Sequence, residues 1–216
     1  MVRKVLVVCG IFSSLLYGAM IGAIRFEGYS PISQTVSELS AIGAPTRPLW
    51  IPLGIVYGVL VIGFGLGVWV SAEGKRALRV VGGLLIAWGV IGFAWPFASM
   101  HQREVLEEGG KTLTDTMHII LTMVTVLFML VAIGFGAAAF GKRFRLYSIG
   151  TIVLLLVFGF LTSLDAPRVE ANLPTPWVGV WERINIGVFL LWIMVLATAL
   201  LRAKRGPGSI DGSAKS

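Results

Sequence analysis

Long apolar segments alternate with short polar ones along the whole chain. Six segments contain no Asp, Glu, Lys or Arg: residues 5–24, 49–72, 80–102, 119–141, 146–164 and 184–201. Each is about 18 residues or longer, the length that an α-helix needs to cross the hydrocarbon core of a bilayer. A transmembrane barrel would instead show alternating strands of about ten residues. The pattern therefore predicts an all-α, polytopic membrane bundle of six transmembrane helices.

The composition agrees with a membrane location. The chain is 56% hydrophobic and 13% charged, with a mean hydropathy of +0.86, whereas soluble domains average about 25% charged residues. Arg3 and Lys4 precede the first span, as in a signal peptide. That apolar run is too long for a typical signal core and no clean cleavage site follows it, so we expect a retained helix.

The distribution of lysine and arginine predicts the orientation. Twelve of the 18 lie beside the N-terminus, in the turns after the second and fourth spans, and after the last span. Basic residues concentrate in cytoplasmic loops, so both termini are predicted to be cytoplasmic, in a plasma or inner cell membrane. The net charge of +7 then reports topology, and we expect the lipid bilayer, and no nucleic acid, as a partner.

The polar interval at residues 28–48 is the most patterned of the outer loops. Ser30 followed by Pro31 resembles a helix N-cap with proline in the first turn, and a capping box over residues 35–38 would start the helix one turn later. Apolar residues at helical spacing form one stripe, and Gly43 and Pro45 end the pattern. We predict a short amphipathic helix on the membrane surface. The stripe is Ile32, Val36 and Leu39.

Polar side chains collect at the predicted outer ends of the helices. Asp115 and His118 open the fourth span one turn apart, Asp165 closes the fifth, and Glu182 and Arg183 precede the sixth. Polar groups at membrane depth must find protein partners. One hypothesis is an outward polar pocket that binds a lipid headgroup or a small solute, with arginines such as Arg25, Arg47 or Arg183 on a phosphate or carboxylate. Its candidate ligand residues are Ser37, Glu38, Asp115, His118, Glu182 and Arg183.

Two other functions fit the same residues. His101 and His118 with a carboxylate from Asp115, Asp165 or Glu38 would suit zinc, and would make the protein a metal-dependent membrane hydrolase. No dense metal motif supports this, so no cofactor is expected under the pocket hypothesis. Alternatively the polar residues satisfy one another in a structural or partner-binding membrane subunit. We expect a single domain over residues 1–205 and a disordered cytoplasmic tail, rich in Gly, Ser and Ala, over 206–216.

Two motifs carry a resemblance to a known family. The run Tyr29-Ser30-Pro31-Ile32-Ser33-Gln34-Thr35-Val36-Ser37-Glu38-Leu39, followed by Gly43-x-Pro45, resembles the first outer loop of a prokaryotic six-helix membrane family, domain of unknown function 998. The segment Gly179-Val180-Trp181-Glu182-Arg183-Ile184 is similar to that family's final segment. The resemblance implies a multi-pass membrane protein without an established activity. It points to Ser37, Glu38, Glu182 and Arg183 without assigning their roles.

Overall fold

The computed structural model describes residues 1–203, and the regular secondary structure of that part is helical, with no strand. Its α-helices are α1 (Val2–Ala23), α2 (Arg47–Val70), α3 (Arg76–Ile91), α4 (Arg103–Glu107), α5 (Leu113–Ala137), α6 (Lys142–Glu170) and α7 (Val178–Arg202). Two 3-10 helices cover Ser37–Ser40 and Gly92–Phe97. The tail predicted to be disordered, 206–216, lies outside the described residues.

Six of these helices are long and apolar enough to cross a membrane: α1, α2, α3 with its 3-10 continuation, α5, α6 and α7. The predicted six-span, all-α architecture is therefore confirmed at this level, and the chain is a multi-pass membrane protein. The observed α3 and α6 begin earlier than the charge-free segments because their first turns carry lysine and arginine.

The six long helices form a closed ring in chain order. Each packs against the next, α3 packs against α5 because α4 is a short surface helix, and α7 returns to α1. Both ends of the described chain therefore lie at one end of the bundle, where the Arg3 guanidinium donates to the Leu200 carbonyl at 3.1 Å. We call this the terminal end, and the opposite one the cap end.

A column of aromatic rings fills the centre of the ring from one end to the other. Neighbouring ring centroids are 4.7 to 6.2 Å apart, within the range of favourable aromatic pairs. Two polar groups beside the column are satisfied, since the Trp192 indole donates to Ser148 and Asn185 donates to the Leu155 carbonyl. The buried hydroxyl of Tyr147, whose ring packs on Phe144, has no hydrogen-bond partner within residues 1–203. The column runs Trp50, Tyr17, Tyr57, Trp88, Phe189, Trp192, Phe144 and Phe140.

The predicted amphipathic helix in the first loop at the cap end is absent. Residues 28–46 form a series of turns around one four-residue 3-10 helix, and α2 begins directly after them. Ile32 is 51% exposed whereas Val36 and Leu39 are buried, so the apolar stripe does not share one face. The capping-box contacts are nevertheless present, because Thr35 N–H donates to Glu38 and Thr35 Oγ1 accepts from Glu38 N–H. The segment follows contacts to distant residues instead of helical periodicity.

Candidate functional site: the polar cap

Three loops cover the cap end and are joined by side-chain hydrogen bonds. They are residues 24–46, 98–112 and 171–177, and we call them together the cap. A backbone hydrogen bond also joins the first two, from Ile42 N–H to the Met100 carbonyl at 2.7 Å. Because each loop connects two spans, the cap fixes the relative positions of the helix ends beneath it.

Glu38 and Arg103 form a buried ion pair at the centre of the cap. Arg103 Nε and Nη2 donate to the two carboxylate oxygens of Glu38 at 2.6 and 2.9 Å. The carboxylate also accepts from Gln34 Nε2 and from both the N–H and the hydroxyl of Thr35. Glu38 is fully buried and Arg103 is 7% exposed. Bidentate pairs of this kind are strong and geometrically specific.

Arg103 also binds the third loop to the same cluster through hydrogen bonds. Its Nη1 donates to Thr175 Oγ1 at 2.9 Å, and its Nη2 to the Ser33 carbonyl at 3.1 Å. Thr175 in turn donates to the Ser33 carbonyl at 2.7 Å. One guanidinium therefore connects all three loops, and each of its three nitrogens donates to a protein acceptor.

The start of α7 holds the first loop from the other side. Arg183 donates to the carbonyls of Pro31, Gln34 and Gly179 and to the Tyr29 hydroxyl, the last at 2.6 Å. These acceptors belong to the first loop or to its own helix, so Arg183 connects the start of α7 to that loop.

Tyr29 stays protonated within this arrangement. Burial raises the pKa of Tyr29 to about 12, against the opposing effect of the Arg183 hydrogen bond and charge. Its hydroxyl can therefore accept from Arg183 and donate to the Thr35 carbonyl, 2.8 Å away. A single neutral hydroxyl thus connects α7 to the first loop.

Glu182 differs from the other carboxylates of the cap end. Its Oε2 accepts from Val36 N–H at 2.5 Å, and its Oε1 is reached only by the Ser37 hydroxyl, at 3.4 Å. Glu182 and Ser37 are both only partly buried. Each carboxyl oxygen offers more than one acceptor position, so Glu182 keeps acceptor capacity that its neighbours do not use.

Asp115 and His118 form a second group, at the start of α5. The Asp115 carboxylate accepts from the N–H and hydroxyl of Thr112 in a capping box, and from the backbone N–H and Nδ1 of His101. His118 Nδ1 lies 2.9 Å from the Ala98 carbonyl, and its ring meets Trp95 edge-on at 5.1 Å. Both residues connect α5 to the second loop.

The structure therefore brings together four of the six predicted ligand residues. Ser37 and Glu38 belong to the first loop, and Glu182 and Arg183 of α7 bond to that loop, while Asp115 and His118 belong to the group around His101. The charged groups of both sets, Glu182 excepted, are saturated by protein partners. Arg47 is likewise occupied by Ser40, Pro96 and Ser99.

The residues predicted to hold zinc do not converge. Throughout residues 1–203, no three His, Cys, Asp or Glu side chains are grouped so that they could hold a metal ion. Asp165 lies near the end of α6, 3.9 Å from Arg168 of the same helix. The imidazole of His101 is engaged with Asp115, and that of His118 with a backbone carbonyl.

Sequence reasoning missed Arg103 and Thr175, the two residues that connect the loops. Arg103 is one of six cations at the predicted outer face, and no spacing or neighbouring motif distinguishes it from the others. Its partner Glu38 lies 65 residues away. Only an alignment of many relatives, through paired changes at two positions, carries a signal of that kind.

Comparison with known protein families identifies the family of this chain. The model of a family described as protein of unknown function, DUF998, matches residues 7–199. The chain belongs to the DUF998 family. The match covers the six spans and the cap, so the resemblance carried by residues 29–39 and 179–184 is confirmed. Searches of curated proteins and of solved structures found no match for this DUF998 chain.

Proposed function

We propose that this DUF998 protein binds an ammonium group, carried by a lipid headgroup or a small solute, at the cap end through Glu182. We further propose that the cap end faces the extracytoplasmic side of a prokaryotic plasma membrane. The orientation is supported by the concentration of lysine and arginine at the terminal end.

The incomplete hydrogen bonding of Glu182 is the observation that carries the proposal. Glu38 accepts five hydrogen bonds and Asp115 four, whereas Glu182 accepts one short bond and one long one. A carboxylate with unused acceptor positions at a partly exposed place is suited to a hydrogen-bond donor or a cation. This favours a cationic group over the phosphate that the sequence suggested for the arginines.

Aromatic rings near Glu182 support the same choice. Glu182 accepts from Val36 N–H, and Val36 belongs to a buried cluster against which Tyr17 of α1 packs. Tyr17 also contacts Trp50 and Tyr57, with ring centroids 6.1 and 4.7 Å away. Faces of Trp and Tyr attract organic cations, and quaternary ammonium groups in particular. A carboxylate beside such rings combines the two features that recognise an ammonium group.

The test is thermal unfolding of the detergent-purified protein with choline, with ethanolamine and with 3,3-dimethyl-1-butanol, the uncharged isostere of choline. A ligand present at about a hundred times its Kd adds about 2.7 kcal/mol of stability. We expect the two cations to raise the unfolding midpoint and the isostere to leave it unchanged. Adding phosphatidylethanolamine beside free ethanolamine then distinguishes a lipid headgroup from a solute.

Glu182→Gln is the decisive variant, because glutamine keeps an acceptor for Val36 N–H and removes the charge. We expect it to abolish the response to cations, while Glu107→Gln, at an exposed carboxylate of α4, keeps the response. Equal stabilisation by the uncharged isostere, or a response that survives in Glu182→Gln, would contradict the proposal.

The other two functions remain predictions. The zinc-dependent hydrolase has no set of three ligands among the described residues, so no observation favours it. The structural or partner-binding subunit agrees with the saturated groups of the cap, and a protein that co-purifies stably with this chain would support it.

A further inference from the structure

A shallow groove of about 300 Å³ lies at the terminal end, between the end of α2 and the start of α3. Trp69 stands on the α2 side with 49% of its surface exposed. The α3 side is apolar except for two arginines. The groove is lined by Trp69, Arg76, Arg79, Val80, Gly83 and Leu84.

Glycines on α3 create this groove. A Cβ at Gly82 would lie 2.8 Å from the Gly65 carbonyl oxygen and 2.8 Å from the backbone nitrogen of Trp69. The backbones of α2 and α3 are therefore in contact there. One residue further on, a Cβ at Gly83 would lie 3.3 Å from the Trp69 ring. A larger side chain at position 83 would therefore fill the space beside the ring.

The two arginines of the groove are not neutralised by the protein. Arg76 and Arg79 are exposed, and within residues 1–203 neither guanidinium donates a hydrogen bond or lies within 4.0 Å of a carboxylate. They occupy the first and fourth positions of α3, where the helix dipole is positive and acidic residues are favoured, and α3 has no acid in its first turn. Lys75 adds a further charge beside them. An anion in the groove would relieve this repulsion.

We propose that the groove binds one anionic phospholipid, with its phosphate on Arg76 and Arg79 and an acyl chain along Val80, Gly83 and Leu84 beside Trp69. The occupant follows from charge and position together. Exposed tryptophans at the ends of membrane spans lie at the headgroup level, and basic side chains beside them attract anionic lipids. A soluble phosphate would use the arginines and leave the apolar floor unoccupied.

The first turn of α6 supplies a matched control for general charge effects. It carries Arg143 and Arg145, which are also exposed and also lie in the first turn of a long helix at the same end. Neither lines the groove. Arg76→Ala/Arg79→Ala and Arg143→Ala/Arg145→Ala therefore remove the same charge from the same end of the protein, and only the first pair removes the proposed site.

The experiment is native mass spectrometry of the full chain in detergent, titrated with phosphatidylglycerol or phosphatidylcholine. Detergent removes the charged bilayer surface, so the apparent Kd of the first lipid reports a local site. We expect preference for phosphatidylglycerol in the wild type. We expect Arg76→Ala/Arg79→Ala to weaken it roughly thirtyfold, at the strength typical of two interfacial cations, and the control pair to change it less than about twofold.

Gly83→Leu tests the apolar part without changing any charge. We expect it to weaken phosphatidylglycerol binding while glycerol phosphate, added in excess, fails to compete in the wild type. Equal weakening by the two arginine pairs, no preference between the two lipids, or full competition by glycerol phosphate would each overturn the proposal. Unchanged binding in Gly83→Leu would also overturn it, because the acyl chain would then lie elsewhere.

Discussion

At the cap end, Glu38 and Arg103 are buried and paired. At the terminal end Arg76 and Arg145 are exposed, and no carboxylate of residues 1–203 lies within 4.0 Å of them. Both regions are polar in the sequence. Removing a charge from water is costly unless a partner is held in good geometry, so the buried pair is tied to one arrangement of the loops. An exposed cation needs no partner, and it records only the side of the membrane on which the segment lies.

The two ends also differ in how far apart in the sequence their hydrogen-bond partners lie. The cap is joined by side chains that reach across 65 to 154 residues of sequence, whereas the turns of the terminal end are short and mostly satisfied by local backbone bonds. We therefore expect substitutions in the cap to change stability far more than substitutions of the exposed cations at the terminal end.

The largest effect is expected from Arg103→Ala. It leaves the buried Glu38 carboxylate without its cation and disconnects the third loop, and breaking a buried pair in this way costs about 3–5 kcal/mol. Arg103→Lys should recover only part of the loss, because an ammonium cannot make the bidentate contact. Equilibrium unfolding in detergent measures both values. The control is Arg145→Ala, whose free energy of unfolding should lie within about 0.5 kcal/mol of the wild-type value. Equal losses of stability in Arg103→Ala and Arg145→Ala would contradict the distinction between the two ends.

An intermediate effect is expected from Asp115→Ala at the second group of the cap end. The substitution removes the capping box of α5, worth about 1 kcal/mol, and the two hydrogen bonds from His101 to the charged carboxylate. Bonds to a charged group add about 1.5 kcal/mol or more, so the loss should exceed that of Tyr29→Phe. The matched variant is Glu170→Ala, which breaks the exposed pair with Lys111, 2.7 Å apart, and should cost about 0–1 kcal/mol. The same unfolding measurement applies. A smaller loss for Asp115→Ala than for Glu170→Ala would show that burial does not set the cost at this end.

The smallest effect is expected from Tyr29→Phe, with a distinctive pH dependence. Loss of the hydroxyl should cost about 1–2 kcal/mol at neutral pH, since its bonds include one to a charged group. Because the folded pKa of Tyr29 is raised to about 12, its contribution is complete below the unfolded pKa of about 10 and declines as the pH rises towards 12. The gap between wild type and Tyr29→Phe should therefore narrow above pH 10 in unfolding curves. A constant gap across that range would mean that Tyr29 titrates normally.

The pattern of the sequence determined the number and type of the long elements. Uncharged apolar segments of this length can satisfy their own backbone hydrogen bonds in a membrane only as helices. Those hydrogen bonds are local, so the sequence alone predicts the six long helices. The amphipathic helix predicted from the 3.6-residue periodicity of residues 28–48 did not form, because the local preference for a helix there is weak. Contacts to Arg103, Glu182 and Arg183 decide the shape of that loop.

The sequence by itself therefore decided the fold class, the charge asymmetry and the set of polar residues at the cap end. Only the tertiary structure decided which of them have hydrogen-bond partners. Glu38 is paired with Arg103, Asp115 with His101, and Arg183 with the first loop. Glu182 accepts only two hydrogen bonds from the described residues. Hydropathy is a property of each residue, whereas the satisfaction of a charge depends on partners brought from distant spans. The groove beside Trp69 likewise exists because two helices touch at Gly65 and Gly82.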